Sequence, residues 1–520
     1  MSVSSIFQTN FSMLDWIIVI LYLSLTASLG ILANKYIHNI SAYLIGGGKS
    51  GASINSATYI GSGLGLVTLM YASIDAFTHG FSYVSLAIIY VFLGGFLGIS
   101  GLVISRLRKL NLLTIPEYFE RRYNKKIRIL AGTICALSGI LNMGLFPVMG
   151  ATFIAYSTNL GAGSVVVVNI ITSILIVLVI AYTIVGGMVS VIITDYIQFV
   201  VLSIGMGLGV YFCLTHADLG WETMTSALAH HRGKQAFDPL AENGYGWEWV
   251  IYMTITIFFT LFCWAPEASR ALTAKDPTTA RHTFLLSTPA LFARLAIPAL
   301  WAIAAFTLVS QNAELTAHFF PDGLAGNAQH AAQAMPLALG KIVPTGLLGI
   351  LVAGMMAAFM STHDSYLLCW SSVITRDVIA PLNKKPMTDN QQIFAVRICI
   401  FIIGIFLLVW GIWYELPESV WSYMAVTATI YLSGAGIVLL GGLYWKNASI
   451  VGAYVTLLVG LIAITGIFLE PINNYLSGYF HHEILISSHQ VGLATFFSCA
   501  LAFTIFSLLF PDKEGRKERT

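Results

Sequence analysis

Apolar residues in this chain come in long runs rather than in alternation. Windows of about 20 residues, the length a helix needs to cross the hydrocarbon core of a bilayer, pick out thirteen such runs. They lie near 14–35, 52–78, 80–105, 127–157, 163–185, 188–215, 247–268, 282–310, 345–375, 391–414, 418–444, 449–469 and 488–510. Strands of a membrane β-barrel alternate apolar and polar positions over roughly ten residues, so runs of this length predict helices. The expectation is an all-α polytopic membrane protein with 13 transmembrane helices. Connections are short except for the polar stretches 216–246 and 311–344. The first run, Leu14 to about Ala33, is long enough to span a bilayer and is read as a membrane helix rather than a cleaved signal.

Composition sharpens the class. The chain of 520 residues is 57% hydrophobic and 10% charged, where a soluble domain carries about 25% charge. Disorder, a coiled coil and a collagen-like fibre are excluded. A net charge of +2 offers no basic footprint for a nucleic acid. The six cysteines sit inside apolar runs without motif spacing and read as small buried hydrophobes. Neither an HExxH metal pattern nor a nucleophile elbow is present, so no enzyme is expected.

Charge placement adds orientation. With the N-terminus outside, 22 of the 26 Lys and Arg fall in inside loops or the tail 511–520. Only Arg232, Lys234 and Lys341 fall outside, and Arg294 falls within a span. The positive-inside rule then places the N-terminus outside, the C-terminus in the cytoplasm and an odd number of spans between them, in a plasma (inner) membrane.

A charge near the bilayer centre costs several kcal/mol, so each one is a functional candidate. Here these are Asp75, Asp195, Arg294 and Asp364, with Glu267 near the inner end of its span. An ion pair that only sets helix packing is the competing reading. In the second run Gly61, Gly63 and Gly65 alternate mid-helix. They fit either close packing through small residues or an unwound segment whose freed carbonyls face a cavity and a cation. In the ninth run Ser361, Thr362, Asp364 and Ser365 fall within little more than one turn, with Ser361, Asp364 and Ser365 on one face. Hydroxyl and carboxylate oxygens suit a hard cation such as sodium. In the sixth run Gly186-Gly187 mark a sharp inner turn, and Thr194, Asp195 and Gln198 form a polar face about two turns further on.

These segments resemble the sodium/solute symporters. The family run GG-[MF]-x-x-V-x-x-T-D-x-x-Q is matched by Gly186, Gly187, Met188, Val191, Thr194, Asp195 and Gln198. Its M-S-T/S-x-x-S segment is matched by Met360, Ser361, Thr362 and Ser365. TIPEYFERRYN (114–124), SRALTAKD (269–276) and GLYWKNASIVGAY (442–454) are also similar to family segments. The resemblance implies a leucine-transporter-type inverted repeat of five helices plus five, over 52–215 and 247–445. One helix precedes it (14–35), two follow (449–510), and 52–78 and 247–268 are the broken helices. It implies a sodium site of the carbonyls of Gly61, Leu64 and Ala358 and the hydroxyls of Ser361 and Thr362. A second site, for a cation or a proton, would be formed by Asp195, Ser361, Asp364 and Ser365. Asp364 departs from the family, where a small hydroxyl residue is common.

For the solute, positions that are polar in sugar carriers fall on Thr68, Ala87 and Ala425, poor partners for a polyol. The carboxylate of proline carriers falls on Gly63. Asp75, Arg294 and aromatics including Tyr71, Phe77, Tyr90, Trp264 and Trp421 remain. Arg294 would take a carboxylate and Asp75 an amine. The expected function is sodium-coupled import of an amino acid or organic acid, in preference to a sugar, by alternating access. Sodium is the coupling ion and no other cofactor is expected. The partners are a small solute, sodium and the lipid bilayer, without nucleic acid or an obligate protein partner. The alternative is a proton-coupled permease of the same fold, with Asp195 and Asp364 as its relay.

Overall fold

The computed structural model describes residues 6–33, 55–56, 59–60, 63–112, 114–242, 244–326, 328–414 and 420–512. Among them no strand forms, as expected where backbone groups in lipid must be satisfied within a segment. Among the described residues, eleven helices are long and apolar enough to cross a membrane. One of these stretches, Leu66–Ser100, contains parts of two runs read from the sequence. They are separated by a 3-10 turn over Gly80–Tyr83 that opens on Gly80 at φ 65°, a conformation favouring glycine. The N-terminal run forms a helix as well, Met13–Ala33.

The principal helices are numbered here in chain order: α1 Met13–Ala33, α2 Leu66–His79, α3 Val84–Ser100, α4 Ile115–Arg122, α5 Lys125–Met143, α6 Phe146–Thr158, α7 Val165–Thr215, α8 Gly246–Cys263, α9 Ala265–Thr273, α10 Pro277–Ser310, α11 Ala331–Ile342, α12 Leu347–Val373, α13 Asp389–Trp413, α14 Val420–Tyr444, α15 Ile450–Val459 and α16 Ser488–Leu509. At the centre lies α12, whose most apolar stretch is 89% buried, against 33% for α13 and for α16. The helix carrying Ser361, Thr362 and Asp364 is thus enclosed by protein, where polar groups can find partners. By contrast, α13 turns Phe394 and Trp413 outward, 65% and 82% exposed, an apolar face suited to lipid.

Two helices are interrupted. Gly65 is extended (φ −78°, ψ 149°) immediately before α2. Trp264 is extended (φ −64°, ψ 123°) between α8 and α9, and Pro266 follows in the first turn of α9. Proline lacks the N–H that would continue the ladder, so a fresh helix starts there.

Hydrogen bonding in α7 is helical from Val165 to Thr215, but its axis does not run straight. Asp195 bonds Ser361, and further along Val201 meets Gly354 and Gly205 meets Leu351, so this half is antiparallel to α12. A straight continuation backwards would bring Thr183 opposite a position about twelve residues beyond Ser361, since both helices rise about 1.5 Å per residue. Thr183 instead bonds Asp364, and Tyr182 bonds the carbonyl of Met360. The change of direction falls between Ile184 and Thr194, the interval that holds Gly186-Gly187.

At the basic ends of the helices an ion network ties α4 and α5 to the π-helical continuation of α12 (Ile374–Ile379). Arg128 reaches Glu120 at 2.6 Å and Asp377 at 2.9 Å, and Thr114 donates to Asp377 at 2.9 Å. Asp377 is fully buried, so its charge is compensated where water cannot reach it.

Candidate functional site

The break at Gly65 lies against α12. A Cβ on Gly65 would collide with Oγ1 and both carbons of the Thr362 side chain, so only glycine permits this approach. The Thr362 hydroxyl is buried and makes no hydrogen bond among the described residues. A buried hydroxyl without a partner costs about 1–3 kcal/mol, which a cation coordinated there would recover. Leu64, Ala358 and Ser361 are buried beside this point in the chain, at 6%, 1% and 2% exposure. The amide of Leu64 closes the last turn before the break by donating to the carbonyl of Ile60 at 2.8 Å. Gly61 lies outside the described residues.

One turn along α12 the second group assembles. Ser361 Oγ donates to Asp195 Oδ1 at 2.6 Å. Thr183 Oγ1 donates to Asp364 Oδ1 at 2.8 Å, and Asp364 Oδ2 accepts no hydrogen bond among the described residues. Ser365 is buried on the same turn. The bend in α7 brings its two halves onto this stretch, one delivering Asp195 and the other Thr183. Sequence reading did not single out Thr183, because a threonine in an apolar helix carries no distinguishing signal.

A cavity of about 70 Å³ lies between the two interruptions and is lined by residues of α2, α3, α5, α8, α9, α10, α12 and α14. Tyr71, Tyr90, Trp264, Arg294 and Ala425 all line it, as do Glu267, Tyr366 and Trp421. Thr68 stands behind Arg294 and accepts from its Nη2 at 3.1 Å. Tyr71 Oη lies 3.5 Å from the same nitrogen. Arg294 Nη1 lies 3.5 Å from Glu267 Oε1 and 3.6 Å from where a Cβ of Gly63 would sit. Nε and Nη1 of this guanidinium make no hydrogen bond among the described residues.

Asp75 is placed elsewhere. It does not line the cavity but accepts from Tyr245 Oη at 2.5 Å and lies 3.6 Å from His79 Nδ1. The carboxylate facing Arg294 is Glu267, which sequence reading noted as a membrane charge without giving it a place at the solute site. Its signal was present: it follows Trp264-Ala265-Pro266, where the helix restarts.

Comparison with known proteins agrees with this architecture. The model of the sodium:solute symporter family matches residues 43–460. The sodium/sialic acid symporter SiaT of Proteus mirabilis is 24% identical over 473 residues, covering 88% of this chain and 89% of that protein. The sodium/proline symporter of Haemophilus influenzae is 24% identical over 464 residues, covering 84% of each. A solved structure of a Na+-coupled sialic acid symporter in a substrate-bound outward-open state superposes with a TM-score of 0.75 at 21% identity, covering 97% of this chain and 99% of that one. At that identity the structural likeness speaks for the fold. MhsT in complex with L-phenylalanine superposes more loosely, with a TM-score of 0.51 at 14% identity over 88% of this chain and 98% of that one. The chain therefore belongs to the sodium:solute symporter family, integral membrane proteins that couple solute transport to sodium.

Proposed function

We propose that the protein imports a small carboxylate-bearing solute, an organic acid or an amino acid, together with sodium by alternating access. The observation that carries the reading is Arg294: a buried guanidinium in the cavity, with two nitrogens that make no hydrogen bond among the described residues, facing the space left by Gly63. A planar fork of this kind suits a carboxylate held through two parallel bonds. Glu267, 3.5 Å away, holds that charge while the site is empty, and would turn to the amine of an amino acid once a solute carboxylate takes its place. A polyol would have to compete with the Glu267 carboxylate for the guanidinium without a charge of its own, which disfavours sugars.

In this reading the chain has thirteen spans in a plasma (inner) membrane, N-terminus outside and C-terminus in the cytoplasm, with five-helix repeats over 52–215 and 247–445. The interruptions at Gly65 and Trp264 fall in the first helix of each proposed repeat, which supports the assignment. Sodium would be held at Leu64, Ala358, Ser361, Thr362 and Gly61, and a second cation at Asp195, Ser361, Asp364 and Ser365. The unbonded Thr362 hydroxyl supports the first of these. Uptake of radiolabelled organic acids, amino acids and polyols by proteoliposomes tests the proposal. Acid or amino-acid uptake should collapse when external sodium is replaced by potassium, and sodium-independent uptake would refute the coupling.

Asp364 favours one second reading, proton coupling at the inner site. Asp195 on α7 and Asp364 on α12 come to the same turn of α12 and repel when both are ionised, and a proton on Asp364 would relieve this as well as a cation. Uptake driven by a pH gradient in the absence of sodium would select that reading.

A further inference from the structure

At the basic ends of the helices, a groove of about 1020 Å³ runs between α13, the π-helical segment after α12 and the start of the loop joining them. Its wall along α13 is built from Phe394, Ile398, Ile402 and Phe406. These residues are spaced by four, so they form one stripe covering about 18 Å of helix axis. Phe394, Ile398 and Ile402 are 65%, 42% and 59% exposed, so the described residues leave them largely uncovered. The groove ends at Lys384 and Lys385. There it meets a second depression of about 410 Å³, which shares both lysines and adds Lys125, Arg128 and Arg376. Arg128 is neutralised by Glu120 and Asp377. Lys125, Arg376, Lys384 and Lys385 form no ion pair among the described residues. Asp377 and Glu117 act on Arg376, so the excess positive charge that caps this end of the apolar trough rests on Lys125, Lys384 and Lys385.

We propose that this is a binding site for an anionic phospholipid, with an acyl chain along the α13 stripe and the phosphate at Lys384 and Lys385. An apolar trough alone would accept any lipid tail. Lys384 and Lys385 at its mouth, with Lys125 beside them, select the negative headgroup, each basic group adding attraction near the membrane surface. The site lies away from the solute cavity: it shares no lining residue with it. It is joined to the ion network on Asp377 through Arg128 and Arg376, so an occupied site would brace the inner end of α12.

The test uses the full chain in vesicles of nine parts phosphatidylcholine to one part phosphatidylglycerol. The protein is extracted in a mild detergent, and the lipid that stays bound to it is identified and counted by native mass spectrometry. Among this bound lipid, phosphatidylglycerol should be about fivefold enriched over the bulk ratio, the effect of roughly one additional basic contact. A Lys384→Gln/Lys385→Gln variant should return to the bulk ratio, and so should Ile402→Trp, which fills the trough and leaves the charges intact. Lys234→Gln, in a loop remote from the groove, should keep the enrichment. Absence of enrichment in the natural chain, or its persistence in the double lysine variant, overturns the site. Loss in the lysine variant with persistence in Ile402→Trp also overturns it, leaving only diffuse attraction of lipid to surface charge. Displacement of the lipid by 10 mM inorganic phosphate, in the order of milli-molar competition expected for a bare anion site, would show that the headgroup pocket acts without the groove, and overturns it equally.

Discussion

Thr362 and Gly65 form a matched pair: a hydroxyl that makes no hydrogen bond among the described residues faces a glycine whose Cβ would meet it. Removing the hydroxyl with Thr362→Ala should raise the sodium concentration for half-maximal uptake by roughly three- to tenfold, the worth of one lost polar ligand. The purified protein should remain folded, and sodium-titrated uptake is the measurement. Gly65→Ala should do more damage, because the added methyl must displace the Thr362 side chain; overpacking of this kind costs about 1–3 kcal/mol and should lower Tm in a thermal-shift assay. At the solute site, Arg294→Lys keeps the charge but loses the fork, and should raise the solute KM while leaving the sodium dependence near that of the natural chain. How much of this was legible in the sequence depended on the residue. Asp195, Ser361 and Asp364 stand out because carboxylates and clustered hydroxyls are rare in apolar runs. Whether Asp75 or Glu267 meets Arg294 was not legible, because position along a run gives depth only roughly and the facing helix not at all. The structure sends Asp75 to Tyr245 and His79 and brings Glu267 to Arg294.

Among the helices, those with interruptions announced them chemically. Gly61, Gly63 and Gly65 signalled the first, and Pro266 placed the second at Trp264. The bend in α7 was foreshadowed by Gly186-Gly187, although local hydrogen bonding there remains helical and only the tertiary partners of Thr183 and Asp195 reveal the change of direction. Helix α10 illustrates an end set by one side chain. Asp276 caps it by accepting from the amide of Thr279 at 2.7 Å, and that bond, with its neighbours, holds the Asp276 carboxyl below its ordinary value. A depressed carboxyl contributes stability that is complete above the unfolded value, about 3.9, and is lost as pH falls through the lower folded value. Asp276→Ala should therefore lower Tm at pH 7, Asp276→Asn should retain most of it because asparagine also caps, and the gap between natural chain and alanine variant should narrow below about pH 4. Thermal unfolding at several pH values checks both expectations.

Taken as one object, the molecule places its candidate solute cavity between the two interrupted helices, with walls on α2, α9 and α10. Alternating access requires those walls to separate on one side of the membrane and then on the other. The two interrupted helices provide backbone that can bend without breaking a continuous ladder. By linkage, a solute that opens this cavity in a sodium-bound state must raise sodium affinity by the factor that sodium raises its own. Equilibrium binding of solute measured across sodium concentrations, and of sodium across solute concentrations, should give equal factors. The basic network on Asp377 lies at the opposite end from Asp75 and Tyr245, so each end of the bundle has its own fastening, and opening one need not loosen the other.

The hydroxyl of Ser361 now stands on Asp195, while the family pattern also asks it to face an ion beside Thr362. A hydroxyl has one proton to give and lone pairs besides, so in the proposed arrangement Ser361 would coordinate a cation through its oxygen while its proton stays on Asp195. The two proposed sites would then share one side chain, and a charge in either would be felt at the other. A Hill coefficient for sodium above one in the natural chain, falling towards one in Ser361→Ala, would be the signature of that coupling, and an unchanged coefficient in Ser361→Ala would refute it.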